Sequence, residues 1–409
     1  MGFSRWQVLA AVFVARTSMG YQFQSIGSVG PLLIAELVID FAVLGSLIGI
    51  YKLPGVILAF PSGLLGNRFG EKSMLIAGMG MMAVGGFITA WSDTFSIVFT
   101  ARVISGAGAV LFNVLSAKMI ADWFAEKELT LALAIHVNSW PLGIALGLAT
   151  QATLAQTFSV NGMLAASAIF CAVGAVLLAV GSRDRPLSGD HIAAHRAPRG
   201  ITLREFILVS LAALVWLLFN ANLILVVSFS PAYLTAMGHD VAAAGRLTSV
   251  GTWLGIVSVP LGGLLVQRGM SADRFMALTF LSGSAATFAI VWLDDPLLAF
   301  IAFGILAWAP AGPIFTLPVG VLKKANRSIG MGIFLSYYYL GIGLLSPLAG
   351  YLRDRSGDPA TPIVFAAWLL IGALLMLVLF RVFERTMTSP KRERRFSLVQ
   401  NSPAAPMKR

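Results

Sequence analysis

Long apolar runs separated by short polar turns cover nearly the whole chain. A helix rises ~1.5 Å per residue, so ~20 apolar residues cross a ~30 Å hydrocarbon core. Runs of that length fall at 6–36, 43–63, 74–91, 96–120, 129–153 and 160–181. After a polar stretch they resume at 205–235, 242–266, 275–293, 297–321, 329–350 and 361–383. The pattern predicts an all-α integral membrane protein with twelve transmembrane helices. Residues 1–181 and 205–383 are expected to form two six-helix bundles, joined by a linker at 182–204 and followed by a basic tail at 384–409.

Proline interrupts several runs: Pro54 and Pro61 in the second, Pro141 in the fifth, Pro260 in the eighth, and Pro310, Pro313 and Pro318 in the tenth. Each removes a backbone donor and can bend its helix, and groups freed at membrane depth must then face protein or a wet cavity.

One stretch recurs at half the chain length. Pro61 to Lys72 is expected to close the second run with a tight, positively charged turn, Gly63 and Gly70 letting two helices meet closely. Arg68 and Lys72 then stand at the water boundary. Gly263-Leu264-Leu265-Val266-Gln267-Arg268 repeats Gly63-Leu64-Leu65-Gly66-Asn67-Arg68, which implies two related halves. The pattern Gly63-x-Leu65-x-Asn67-Arg68-x-Gly70-x-Lys72 resembles the loop signature between helices 2 and 3 of the major facilitator superfamily of transporters. That signature normally has Asp where this chain has Asn67. Arg102-x-x-x-Gly106-x-Gly108 resembles the family's helix-4 motif, and Gly350-x-Leu352-x-Asp354-Arg355-x-Gly357 a turn often found before helix 12. Ser28-Val29-Gly30-Pro31-Leu32-Leu33 is similar, over a short match, to the cyanate and nitroimidazole porter group.

Composition agrees with a membrane protein. Hydrophobic residues make up 57% and charged residues 11%, and mean hydropathy is +0.84. A soluble domain carries about a quarter charged residues, so this chain cannot cover a water-soluble globule. The net charge of +11 does not imply nucleic acid, because the basic residues are scattered over short turns and one tail. With both termini inside, only Arg16, Lys52, Arg102, Arg246, Arg353 and Arg355 of the 29 Lys and Arg lie outside or within the membrane, as the positive-inside rule requires. The first apolar run continues past signal-peptide length and is read as a retained helix of a multi-pass protein of the bacterial inner membrane.

The chemistry expected is that of a binding site. No cofactor, metal or catalytic group is expected: no HExxH, nucleophile elbow or phosphate loop occurs. His191 and His195 read as part of a solvated linker, Cys171 as an inert packing residue, and Lys391, Arg392, Arg394 and Arg395 as contacts to anionic lipid. Arg16 and Lys52 are each about ten residues into their runs, ~15 Å deep, and no acidic residue lies mid-span to offset them. A cation there costs on the order of 3 kcal/mol. An anion binding in a wet cavity would offset it, and backbone carbonyls in a structural role are the alternative. Arg102 is shallower, and the resemblance implies a structural contact to neighbouring backbone.

Helical spacing puts Arg16, Gly20, Phe23 and Gly27 on one face with Gln24 at its edge, and Arg102, Gly106, Ala109 and Asn113 on another. Trp308, Gly312 and Phe315 align in the tenth run, and Asn220 lies in the seventh. The resemblance implies that helices 1, 4, 7 and 10 converge on a cavity, to which Tyr338 adds a hydroxyl. Gln24, Asn113, Asn220, Trp308 and Tyr338 are therefore expected to join Arg16 and Lys52 in binding substrate. His136, which titrates near neutrality, is a candidate proton site. The expectation is a monomeric secondary transporter working by alternating access on a small anion. The alternatives are a proton-coupled exporter of hydrophobic drugs and a transporter-like receptor.

Overall fold

A computed structural model describes residues 4–124, 126–183 and 200–388. Most of the linker, including His191 and His195, and nearly all of the basic tail lie outside the described residues.

The first half of the chain forms α1 (Arg5–Gln24), α2 (Gly30–Leu37), α3 (Phe41–Ile50), α4 (Pro54–Phe69), α5 (Glu71–Ala90), α6 (Phe95–Trp123), α7 (Glu126–Phe158) and α8 (Val160–Gly181). The second forms α9 (Leu203–Ala236), α10 (Val241–Gln267), α11 (Ala272–Trp292), α12 (Pro296–Leu306), α13 (Ala311–Val321), α14 (Arg327–Ser356) and α15 (Thr361–Thr388). Among the described residues, eleven stretches are long and apolar enough to cross a membrane. The α1–α2 segment completes the twelve-helix arrangement, and it is broken at 25–29. Acidic and hydroxyl residues open many of the helices. Asp40 accepts from Val43 N (2.7 Å), Asp295 from Leu297 N (2.9 Å), and Thr202 with Glu205 forms a capping box. These caps satisfy first-turn amides that have no partner within the helix.

Three predicted runs are not single helices. The first breaks at 25–29, the second at 51–53 and the tenth at 307–310. Pro54 takes the first position of α4, where its missing N–H is no loss. The stretch expected to be a turn at Pro61–Lys72 is mostly helix: α4 runs to Phe69, and only Gly70 leaves it, at φ 85°. Gly63 was expected to bring two helices together, yet a Cβ there would meet nothing within 4 Å; the close approach is at Gly66, against Leu115. A periodic pattern carries no signal for which glycine faces a neighbour.

The two halves meet along one face of the molecule. Gly45 packs on the Ser346 backbone, Gly49 on Gly343, and Gly350 on the Phe41 carbonyl, a seam of α3 and α14 with almost no side chain between the backbones. Asp354 accepts from Phe41 N (3.1 Å) and Ala42 N (2.7 Å), capping α3 from the other half. Gln156 donates to Asp240 across the seam (2.7 Å). That bond, with two amides of α10, holds the Asp240 carboxyl below its ordinary range. At the opposite, Gly70 face, several hydrogen bonds lie within a half: Arg5 with Glu128, Lys118 with Asn67, and Glu205 with Lys323 and Asn326.

Candidate functional site

Three cations stand in the interior of the first half, two of them bound to backbone carbonyls at helix ends or beside a proline and the third set among aromatic rings. α1 and α3 both end in mid-segment, which exposes the carbonyls of their last turns and the negative ends of two helix dipoles; Gln22 O there also accepts from Ser25 N and Ser25 Oγ. Arg102, 2% exposed, fills that gap. Its Nε donates to Leu47 O (3.1 Å), Nη1 to Gln22 O (3.3 Å) and Nη2 to Phe23 O (3.3 Å), and its guanidinium lies 4.5 Å from the Tyr51 ring. All three of its nitrogens are engaged with backbone. Gly106 and Gly108, the other members of its motif, touch the Tyr51 carbonyl and the Gly78 carbonyl, so this motif packs α6 against its neighbours.

Arg16 is held differently. Pro141 has no N–H to offer the carbonyl four residues earlier. That carbonyl, Val137 O, accepts from Arg16 Nη1 at 3.2 Å, beside His136 O at 2.7 Å. Nη2 donates to Asn113 Oδ1 at 3.0 Å. The Nε–H is buried without a partner. Arg16 thus has backbone support on one side and an unspent donor on the other.

Lys52 falls in the 51–53 break, not within a continuous helix as expected. Its ammonium lies 4.0 Å from the Trp140 ring centroid, 4.8 Å from Phe23 and 5.7 Å from Tyr338 in the opposite half. Ring faces attract a cation but accept no conventional hydrogen bond. Among the described residues no carboxylate pairs with Arg16, Lys52 or Arg102, and Lys52 feels the charge of both arginines.

The other expected residues divide. Asn113 joins Arg16, and Tyr338 joins Lys52 and lies beside the tilted Tyr339 ring at 5.2 Å. Asn220 turns its amide to Trp216 O of its own helix (2.8 Å). The residue sequence reasoning missed there is Asn222, fully buried and bonded to Thr287 and Ala366 O, which ties α9 to α11 and α15. Gln24 is at the seam, donating to Val227 O (2.8 Å). Trp308 was expected on one face with Gly312 and Phe315; the 307–310 break instead turns it onto Gly255 of α10, while Phe315 meets Trp216 at 5.3 Å. His136 contacts Ser116 Oγ through Nε2 (3.3 Å), its Nδ1 buried without a partner, and the charge nearest it is Arg16. In the loop motif, Lys118 bridges Asn67 (2.7 Å) and Glu71 (2.5 Å), Lys72 donates to Ala179 O (2.6 Å), and Arg68 is exposed over Phe69. No group of three or more metal-ligating side chains occurs among the described residues.

Two packed helical halves, with buried cations in the first and a Tyr338 ring of the second beside Lys52, suit a carrier, and sequence comparison points the same way. The model of the Major Facilitator Superfamily matches residues 12–344. The chain belongs to that superfamily. It is similar to the hexuronate transporter of Bacillus subtilis, 20% identical over 91% of this chain and 94% of that one. It is also similar to the inner membrane transport protein YajR of Escherichia coli, 27% identical, a match covering 33% of this chain and only 30% of YajR. Among solved structures, a D-xylose–proton symporter superposes with TM-score 0.74 at 15% identity, over 91% of this chain and 97% of that one. The superfamily member described here is a multi-pass membrane protein and a secondary transporter.

Proposed function

We propose that this transporter carries a small anion through the cytoplasmic membrane as a monomer, with Arg16 and Lys52 as its charged contacts and both termini cytoplasmic. The observation that carries the reading is a buried cationic centre with unspent donors, Arg16 Nε and the Lys52 ammonium, and no carboxylate against it among the described residues. A buried donor without an acceptor is costly. An anion arriving at this centre supplies both the acceptor and the missing charge. A hexuronate is itself an anion, and the full-length likeness to a hexuronate transporter is consistent with this class. An exporter of lipophilic cations would need a carboxylate where this chain has three cations. The Asp354 face is then the outer one.

The test is flux of labelled anions into proteoliposomes, with ligand-dependent melting of the purified protein. Arg16→Gln or Lys52→Gln should each remove a charge-assisted contact worth ~2–3 kcal/mol, roughly 30- to 150-fold in affinity. Arg16→Lys should also weaken binding, because lysine lacks the planar fork. The double variant should lose less than the sum, since either change breaks the same bridge. Full transport by both correctly inserted single variants, or melting shifts with cations such as ethidium and none with anions, would sink the reading.

A further inference from the structure

The two halves present unlike chemistry to the space between them. Opposite Arg16 and Lys52 stands a wall of rings: Trp216 of α9 meets Phe315 of α13 at 5.3 Å, Phe334 of α14 at 5.9 Å and Tyr338 of α14 at 6.5 Å. Tyr338 belongs to both walls, because Lys52 lies 5.7 Å from its ring. The ring behind, Phe334, is fully buried, whereas Phe315 is 41% exposed and Trp216 and Tyr338 are partly exposed. Phe334 therefore supports the rings from behind, while the other three keep accessible surface. Its polar atoms are few. The Asn220 amide is spent on its own helix, and the Trp216 indole N–H is buried without a partner.

We propose, building on the anion reading above, that the solute is an anion on a flat aromatic body, of the aromatic carboxylate class. The carboxylate would sit at Arg16 and Lys52 and the ring against Trp216 and Phe315, with the indole N–H meeting a ring substituent that can accept. A polyhydroxylated sugar acid fits this wall poorly, because each hydroxyl pressed against rings gives up a hydrogen bond to water and gains none. An inorganic anion would leave the wall unused. Aromatic faces gain more from another ring than from an alkyl chain of similar area.

The experiment is ligand-dependent melting and tryptophan fluorescence titration of the purified full-length transporter with benzoate, 4-hydroxybenzoate, acetate, glucuronate, nitrate and the neutral benzamide. Benzoate or its hydroxyl derivative is expected to bind about tenfold or more tighter than acetate, glucuronate and nitrate. Trp216→Leu should remove most of that preference while leaving acetate within about twofold, and Phe315→Leu should do the same if the tryptophan variant fails to fold. Arg16→Gln should weaken all the anions together. If anions bind with no aromatic preference, or glucuronate binds tightest, the aromatic inference is overturned and the anion reading stands. If benzamide binds as well as benzoate, the anion reading falls and takes this inference with it.

Discussion

Asp354→Asn tests what holds the closed face shut. The carboxylate reaches across the seam to cap α3 at two backbone amides, at 3.1 and 2.7 Å, and it lies at the positive end of that helix. An amide side chain keeps one oxygen and turns an NH2 toward the other backbone N–H. The loss is one charge-assisted hydrogen bond, ~1.5–3 kcal/mol when shielded, plus ~0.3–1 kcal/mol of helix-dipole attraction. Asp354 is exposed, so water and salt recover part of this, leaving ~1–2 kcal/mol. That shifts the equilibrium between closed and open about 5- to 30-fold toward open on this face. Spin labels at Val38 and Met237, both exposed there and in opposite halves, would report it as growth of a longer-distance population in pulsed dipolar spectroscopy. Identical distance distributions for the variant and the parent protein would refute the argument and leave closure to the seam's glycine packing and its remaining cross-half hydrogen bonds.

Gly106→Ala places a methyl against the Tyr51 carbonyl and should cost ~1–3 kcal/mol, read as a lower Tm, whereas Gly63→Ala faces open space and should stabilise α4 by ~0.5–1 kcal/mol. Equal Tm changes of the two variants would count against the packing geometry. Asn67→Asp should convert the Lys118 hydrogen bond into an ion pair worth at most ~1 kcal/mol, seen as a small Tm rise that high salt abolishes. Because Lys118, Asn67 and Glu71 all lie in the first half, a large change in accessibility of the second half would contradict this account.

The twelve-segment plan was legible because a run of ~20 apolar residues is a strong signal wherever it falls. The breaks at 25–29 and 51–53 were not, because they leave hydropathy unchanged and alter only the backbone. Those breaks decide what Arg102 does, since the carbonyls it binds lie in the last turns they end. Arg16 and Lys52 stood out as unpaired charges in apolar runs, and the structure brings both to the interior of one half. Their partners were harder to read. Val137 O is available through Pro141, four residues away on another helix, and no one-dimensional pattern links that pair to Arg16. Asn220 and Asn222 differ by two positions, and only packing distinguishes the cavity-side amide from the buried tie.

The Arg102 clamp has a consequence for biogenesis. Its three acceptors, Gln22, Phe23 and Leu47, all precede it in the chain and leave the ribosome before it does. An arginine entering the bilayer on a lone helix costs roughly 2.5–3.5 kcal/mol by insertion scales. Here the segment carrying it arrives where two earlier segments already present carbonyls at their helix ends. The order of synthesis thus supplies the receptor before the charge, and the first two segments must stay beside the insertion site until α6 emerges. A circular permutation that made α6 before α1 and α3 would deliver the same residues to the membrane with nothing waiting to receive Arg102.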